Sequence, residues 1–361
     1  MTDLASTFRD LVSGKRRGIG ATLARGALRV AEVPYSFAVR RRNRQFDSGS
    51  RPIERAAVPV ISVGNITLGG TGKTPMVEWV CRQLRDRGLR VAIVSRGYGK
   101  RDGAANDEAL ELAQKLPDVL HVQNPDRVAA AIAAIEASKC QAIVLDDAFQ
   151  HRRIARDLDI VLLDSQEPFG FDHVFPRGTL REPLSGLSRA DCVVLSRADM
   201  IVPENRMRIR QGALCLAPRA LWAECVHAPI VLVTASGAEV PLDALRGRRV
   251  AAFCGIGNPA GFRHTLASCG YEVSLFREFA DHHAYRQTDV ESLIDWADQA
   301  EVSAVICTHK DLVKISLDQL GDKPLYALRV GMEFLVGQTE LEARLSQILL
   351  ARSRGEETCK S

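Results

Sequence analysis

The sequence predicts an α/β fold: a parallel sheet domain covered by helices, followed by a second, smaller α/β domain. Three observations carry this. Apolar runs of strand length at 58–63, 90–95, 142–145, 159–164 and 192–196 alternate with helical patterns. A glycine-rich loop ending in Gly72-Lys73-Thr74 separates the first run from a helix that repeats apolar residues at Met76, Val77, Val80, Cys81 and Leu84. A fresh set of apolar runs starts at 249–254, after an irregular stretch over 220–243. Strands alternating with helices imply right-handed crossovers and a sheet covered on both faces. Functional groups then gather where the strands end.

The chain has 361 residues, enough for two domains, and 46% hydrophobic with 25% charged residues is ordinary for a folded soluble protein. The expected divisions are a basic amphipathic segment over 1–55, a first domain over 56–220, a linker over 221–248 and a smaller domain over 249–361. Residues 1–55 carry twelve Lys/Arg against five Asp/Glu, a net +7 in a chain whose total is +4. In that segment Ile19, Leu23, Ala27 and Val30 recur at helical spacing, followed by Pro34, Tyr35 and Phe37. A basic helix with an apolar stripe can lie on an anionic membrane surface. The same pattern also suits a helix docked on its own domain with its charges in water. No run reaches the roughly 18 apolar residues that span a bilayer. Basic residues without interleaved aromatics, and no nucleic-acid module, exclude a nucleic-acid partner. The nine cysteines form no C-x-x-C pair and no secretory signal is evident, so neither zinc nor disulfides are expected and the protein reads as cytoplasmic-side.

The first strand and its loop read Val60-Ile-Ser-Val-Gly-Asn-Ile-Thr-Leu-Gly-Gly-Thr-Gly-Lys-Thr-Pro75. Strand, glycine loop, Lys-Thr and helix make a P-loop NTPase-type domain. Gly69, Gly70, Thr71 and Gly72 let peptide N–H groups converge on phosphate oxygens, and the helix start adds a favourable dipole. Lys73 reaches the terminal phosphates and the Thr74 hydroxyl holds Mg²⁺. Pro75 suits an early helical position. The strict pattern asks for glycine at 67, where this chain has Thr67.

The run at 142–145 ends in Asp146-Asp147, where a P-loop enzyme keeps the acid that holds Mg²⁺. Gln150 and His151 follow beside the phosphate site, with Arg152 and Arg153 behind. Transfer to an alcohol needs an acceptor for the hydroxyl proton, and Asp107, Glu108, His151 and His282 are all candidates. Helix-capping or surface roles suit these residues equally by spacing alone. Ser196-Arg197-Ala198-Asp199 only loosely echoes a guanine-reading N-K-x-D. Thr308-His309-Lys310-Asp311 has its lysine one place late, and Phe149 stands where a GTPase keeps the glycine of D-x-x-G. In the second domain the glycines after 254 follow G-x-G-x-x-x-G, not the dinucleotide fingerprint, so a second nucleotide site is not expected.

Together these segments resemble the tetraacyldisaccharide 4′-kinase family over roughly residues 24–335. The resemblance rests on the loop 63–75, Ser95-Arg-Gly-Tyr-Gly99, Asp107-Glu108, Asp146-Asp-Ala-Phe-Gln-His151 and Pro176-Arg-Gly-Thr-Leu-Arg-Glu182. Gly255-Ile-Gly-Asn-Pro259, Asp281-His282 and the Lys310-Asp311 pair extend it. That family's loop likewise lacks the first glycine, which accounts for Thr67. The resemblance implies ATP- and Mg²⁺-dependent transfer of the γ-phosphate to the 4′-hydroxyl of a lipid-linked glucosamine disaccharide 1-phosphate. It implies Thr74 and Asp146 as Mg²⁺ ligands assisted by Glu182, and Asp107 as base paired with His282. Arg96, Tyr98, Gln150, His151 and Arg181 match the surface that holds the disaccharide and its phosphate. An acylated lipid partner implies a peripheral place on the anionic cytoplasmic face of a bacterial inner membrane, with no obligate protein partner. A regulatory or metal-delivery P-loop ATPase or GTPase acting through a partner protein is the competing reading.

Overall fold

The structure, a computed structural model, describes residues 4–97, 107–281, 283–299 and 301–358. For residues 4–6, 107–108 and 352–358 it describes the backbone alone. Tyr98 and His282 lie outside the described residues, as do the side chains of Asp107 and Glu108.

In chain order the elements are helices α1 (Leu4–Val12) and α2 (Ile19–Asp47), strand β1 (Val60–Asn65), α3 (Lys73–Arg85), β2 (Val91–Ser95), α4 (Asp107–Lys115), β3 (Leu120–Gln123), α5 (Arg127–Ser138), β4 (Ala142–Asp146) and β5 (Leu158–Asp164). They continue with β6 (Cys192–Ser196), α6 (Pro203–Leu216), β7 (Leu221–Val233), β8 (Glu239–Val240), β9 (Arg249–Cys254), α7 (Pro259–Ser268) and β10 (Glu272–Glu278). The last are α8 (Gln287–Asp298), β11 (Ala304–Thr308), α9 (His309–Ile315), β12 (Gln319–Leu320), β13 (Lys323–Val336) and α10 (Gln338–Thr358).

The chain forms two compact units. The first comprises residues 1–96, 119–226 and 334–361. Its strands run in the order β7-β6-β5-β1-β4-β2-β3, paired in parallel. From β1 the chain moves outward to β2 and β3, returns to insert β4, then crosses to β5 on the other side, so the order reverses beside β1. That reversal opens a crevice at the carboxyl ends of the central strands. Every residue of β1, β2, β4 and β6 is buried, as expected of parallel strands covered on both faces. One face packs Ile66, Phe149, Val161, Leu163 and Val193, the other Val60, Val94, Ala130, Ile143 and Leu145.

The helix α2 belongs to this unit and turns two faces to two environments. Glu32, Val39 and Phe46 are buried at seven-residue spacing, whereas Ile19, Leu23, Val30, Val33 and Phe37 are exposed. Glu32 accepts from the Val174 N–H at 2.9 Å and from Arg29 at 2.8 Å.

The second unit comprises residues 97–118 and 227–333. Its parallel strands run β10-β9-β11-β13, with β12 antiparallel on β13. Apolar clusters cover both faces, one around Phe253, Leu293 and Leu325, the other around Cys254, Leu266 and Ile306.

Three boundaries differ from the sequence expectation. The expected linker 221–248 contains β7, whose two ends are buried and whose middle is half-exposed, a mixed pattern that mimics irregular chain. Helix α4, expected in the first domain, belongs to the second unit and packs on α9. Helix α10, expected in the C-terminal domain, belongs to the first unit, where Leu341, Leu345 and Ile348 are buried at helical spacing.

Candidate active site

The glycine loop leaves β1 at Asn65 and enters α3 through Gly72, whose φ of 86° is left-handed; Gly69, at φ 109°, is also in the region only glycine adopts readily. No side chain caps α3, so its first N–H groups keep no internal acceptor. The loop carbonyls, by contrast, are tied to the protein. Ser196 Oγ donates to Thr71 O at 2.8 Å, Arg197 Nη2 to Gly70 O at 3.0 Å and Asn65 Nδ2 to Gly69 O at 3.5 Å. Arg197 is itself held by the Asp164 carboxylate. With the carbonyls engaged, the loop N–H groups and the uncapped helix start are left for an anion. Ser196 and Arg197 are thus supports of the phosphate loop, a role that a guanine-reading comparison does not suggest.

Residues 66–68 run against residues 179–181. Leu68 N–H donates to Thr179 O at 2.7 Å and Arg181 N–H to Ile66 O at 2.8 Å, with Thr67 bridged to Leu180. Thr67 is extended chain in this bridge, a conformation that needs no glycine. The same bridge carries Arg181 to the loop. Arg181 Nη1 lies 2.7 Å from Asp147 Oδ1, and Lys73 Nζ lies 3.6 Å from the same oxygen. Asp147 has a left-handed φ of 52°, which turns its side chain away from the course of β4. Burial raises its pKa, but Lys73 and Arg181 more than offset this and hold it down at about 2.

Thr74 and Asp146 are both buried, Thr74 in the first turn of α3 and Asp146 at the end of β4 opposite Val63. A hydroxyl and a carboxylate beside a phosphate loop are hard oxygen donors of the kind Mg²⁺ takes. Among the described residues no three His, Cys, Asp or Glu come together as a metal cage. Mg²⁺ held through nucleotide phosphates needs only one or two protein oxygens, so the residues present fit the ion.

The remaining expected residues divide. Gln150 Nε2 donates to Asn65 O at 2.8 Å, at the root of the loop, and to Glu182 Oε1 at 3.1 Å. Glu182, expected to assist the metal, is fully buried. Arg189 spans its two oxygens at 2.8 and 2.9 Å, and Asn43 of α2 donates at 2.9 Å. Arg189 also lies over the Phe149 ring, 4.5 Å from its centre. Both Glu182 oxygens accept from protein donors, which joins α2, Gln150 and the 183–189 turn. His151 is neutral at physiological pH: burial, then Arg127 and Arg153, push its pKa down to about 4. Arg96 is exposed at the end of β2.

Arg127 was not legible as a site residue. It is buried at the first position of α5 and its charge acts on both Asp147 and His151. The available signal was its place: a cation in a helical first turn opposes the helix dipole and asks for another reason to be there.

The family model for tetraacyldisaccharide-1-P 4′-kinase (LpxK) matches residues 24–350. The chain belongs to this family. A tetraacyldisaccharide 4′-kinase of Anaeromyxobacter sp. (strain K) is 42% identical over 356 residues, 93% of this chain and 94% of that one. A tetraacyldisaccharide 4′-kinase of Desulfatibacillum aliphaticivorans is 39% identical, covering 89% of this chain and 92% of its own. Among solved structures, LpxK from Aquifex aeolicus in complex with ATP aligns with a TM-score of 0.72 and 29% identity, covering 90% of this chain and 99% of that one. The P-loop NTPase-type fold of the 4′-kinase family and its use of ATP therefore agree with the loop and its Lys73-Thr74 pair.

Proposed function

We propose that this chain transfers the γ-phosphate of ATP to the 4′-hydroxyl of a tetraacyl glucosamine disaccharide 1-phosphate, forming the 4′-phosphorylated lipid of lipid A biosynthesis. One observation carries the reading: a phosphate loop with its carbonyls tied back, and Lys73, Arg181 and Asp147 in one charge cluster beside it, in a chain of the 4′-kinase family.

Phosphoryl transfer asks the protein mainly for positioning and charge compensation. The loop N–H groups and Lys73 receive the phosphates, and Mg²⁺, when bound, supplies charge neutralisation with Thr74 and Asp146 as its protein ligands. Arg181, already 2.7 Å from Asp147, is placed to follow negative charge as it develops, since it can share its guanidinium between two acceptors. Gln150, His151 and Arg96 form the polar surface for the disaccharide, with Tyr98 in the same role. Asp107 accepts the proton of the 4′-hydroxyl, with His282 as its partner. His151 is a poor base here, because protonation would add charge beside Arg127 and Arg153.

The acyl chains of such a substrate stay in a bilayer, which gives α2 its outward face. Ile19, Leu23, Val30, Val33 and Phe37 form an exposed apolar stripe on a basic helix, suited to the interface of an anionic leaflet. Among the described residues no helix is long and apolar enough to cross a membrane. We place the protein peripherally on the cytoplasmic face of the inner membrane.

The test is phosphate transfer from ATP to a detergent-dispersed acylated glucosamine disaccharide 1-phosphate. Mg²⁺-dependent product with a new 4′-phosphate, lost in Lys73→Ala, is the expected result. Absence of product, with nucleotide hydrolysis indifferent to lipid, would favour the partner-regulated NTPase.

A further inference from the structure

The Lys310-Asp311 pair has no role in the reaction as written above, yet it sits at the junction of two segments that do. Asp311 is wholly buried in the first turn of α9, behind the Thr308 cap. Its carboxylate accepts from Gly255 N–H at 3.2 and 3.1 Å, from Thr308 Oγ1 at 2.6 Å and from Tyr285 Oη at 3.0 Å. The Tyr285 ring packs edge-on against Phe279, centres 5.1 Å apart, and against Phe253 at 5.8 Å. One turn further along α9, Lys314 Nζ donates to His283 O at 3.1 Å. Phe279 N–H donates to Cys254 O at 2.8 Å. The chain is therefore fastened before His282 by Phe279 and after it by His283 and Tyr285, and α9 supplies the last two fastenings.

Helix α9 also packs on α4, the helix that starts at Asp107. Glu111, one turn on from Asp107, is buried and ion-paired to Lys115 at 2.9 Å, itself nearly covered. Burial raises the Glu111 pKa, but Lys115 first, then the charges of Lys310 and His309, hold its carboxyl below the usual range.

We propose that Lys310 and Asp311 are positioning residues for the phosphoryl transfer, Asp311 through Tyr285 and the turn around His282, Lys310 through Glu111 and the helix that begins at Asp107. The inference rests on the function and on the base assignment proposed above. A two-residue step at the start of α9 thus sets the acid helix and the histidine turn against one scaffold. Proximity and orientation are steep in distance, so small displacements of either segment are read in kcat.

The test is a pair of mutant cycles in single-turnover phosphate transfer to the detergent-dispersed disaccharide 1-phosphate. Tyr285→Phe removes one hydroxyl and keeps the ring contacts; Asp311→Asn removes the charge. In the wild-type background each should lower the transfer rate about ten- to hundredfold, with KM for ATP unchanged within about twofold. In a His282→Ala background Tyr285→Phe should cost less than about twofold, because its effect runs through that turn. Lys310→Met should behave likewise against Asp107→Ala. Equal losses in both backgrounds, or an unchanged rate in Tyr285→Phe, would overturn the Asp311 assignment. Equal losses for Lys310→Met would overturn the Lys310 assignment. Absence of transfer by the wild-type chain would overturn the function itself, a result distinct from transfer with additive cycles.

Discussion

At the scale of the residue, the site is a set of charges whose positions follow from short spacings in some cases and from folding in others. The positions of Lys73 and Thr74 at the start of α3 and of Asp146 at the end of β4 could be read from the chain because each sits at a fixed offset from a strand end. Arg197, Asn43 and Arg189 could not, because their partners Gly70 and Glu182 lie far off in sequence. The surroundings of Glu182 met the same obstacle, since only the folded chain brings Asn43, Gln150 and Arg189 onto its two oxygens. Lys73→Ala is expected to lower kcat about 10²- to 10³-fold, the usual loss when a donor to developing charge is removed. It should also let the Asp147 carboxyl rise towards its ordinary range, which carboxylate titration by NMR would show. Asp107→Ala should cost about 10²-fold or more in kcat with nucleotide affinity nearly unchanged. Unchanged transfer in that variant would reassign the base. His151 links the site to pH. Its folded pKa of about 4 lies below the ordinary 6.5, so between these values the unfolded chain takes up a proton that the folded chain refuses. Stability contributed by this group is complete above pH 6.5 and falls as pH drops towards 4. Urea midpoints at pH 7 and pH 5 should therefore fall further apart in the wild type than in His151→Gln. Asp147 acts lower: its depressed pKa of about 2 adds stability above its unfolded value, and that is lost only as pH falls towards 2.

At the scale of the element, α2 reconciles two readings that its sequence leaves open. The stripe of Ile19, Leu23, Ala27 and Val30 faces outward, so it is free for an interface, while Glu32, Val39 and Phe46 dock the helix on the protein. Periodicity could not separate these because both sets recur at spacings of three, four or seven, and one docked position is a buried carboxylate. The two faces make separable predictions. Val33→Asp with Phe37→Asp changes residues that are 65% and 66% exposed, so the melting temperature should hold while sedimentation with anionic phospholipid vesicles falls. Retention of vesicle binding would remove α2 from the membrane. Glu32→Ala, on the docked face, leaves the Val174 N–H without its acceptor and should cost about 1–3 kcal/mol in urea unfolding.

At the scale of the whole molecule, the order of strands along the chain was legible, and the assignment of the segments between them was not. Runs such as 142–145 and 192–196 announce themselves because a strand buried on both faces must be apolar throughout. Helices α4 and α10 carry no such mark. Each is an amphipathic helix whose apolar face suits either unit, and nothing local to the sequence says which neighbour it covers. In the fold α10 returns to the unit that holds the phosphate loop: Phe334, just before it, packs on Trp79 of α3 with ring centres 4.8 Å apart, and Arg87, just past the end of α3, reaches Ser346 Oγ at 3.4 Å. The consequence is testable far from the active site in sequence. Leu345 is 1% exposed, and Leu345→Ala should remove about 2–5 kcal/mol. That loss belongs to the loop-bearing unit, so amide exchange should accelerate in β1, β4 and α3, and ATP binding should weaken with it. Were α10 part of a C-terminal domain over 249–361, the faster exchange would fall instead in β9 and β11 and leave the phosphate loop untouched.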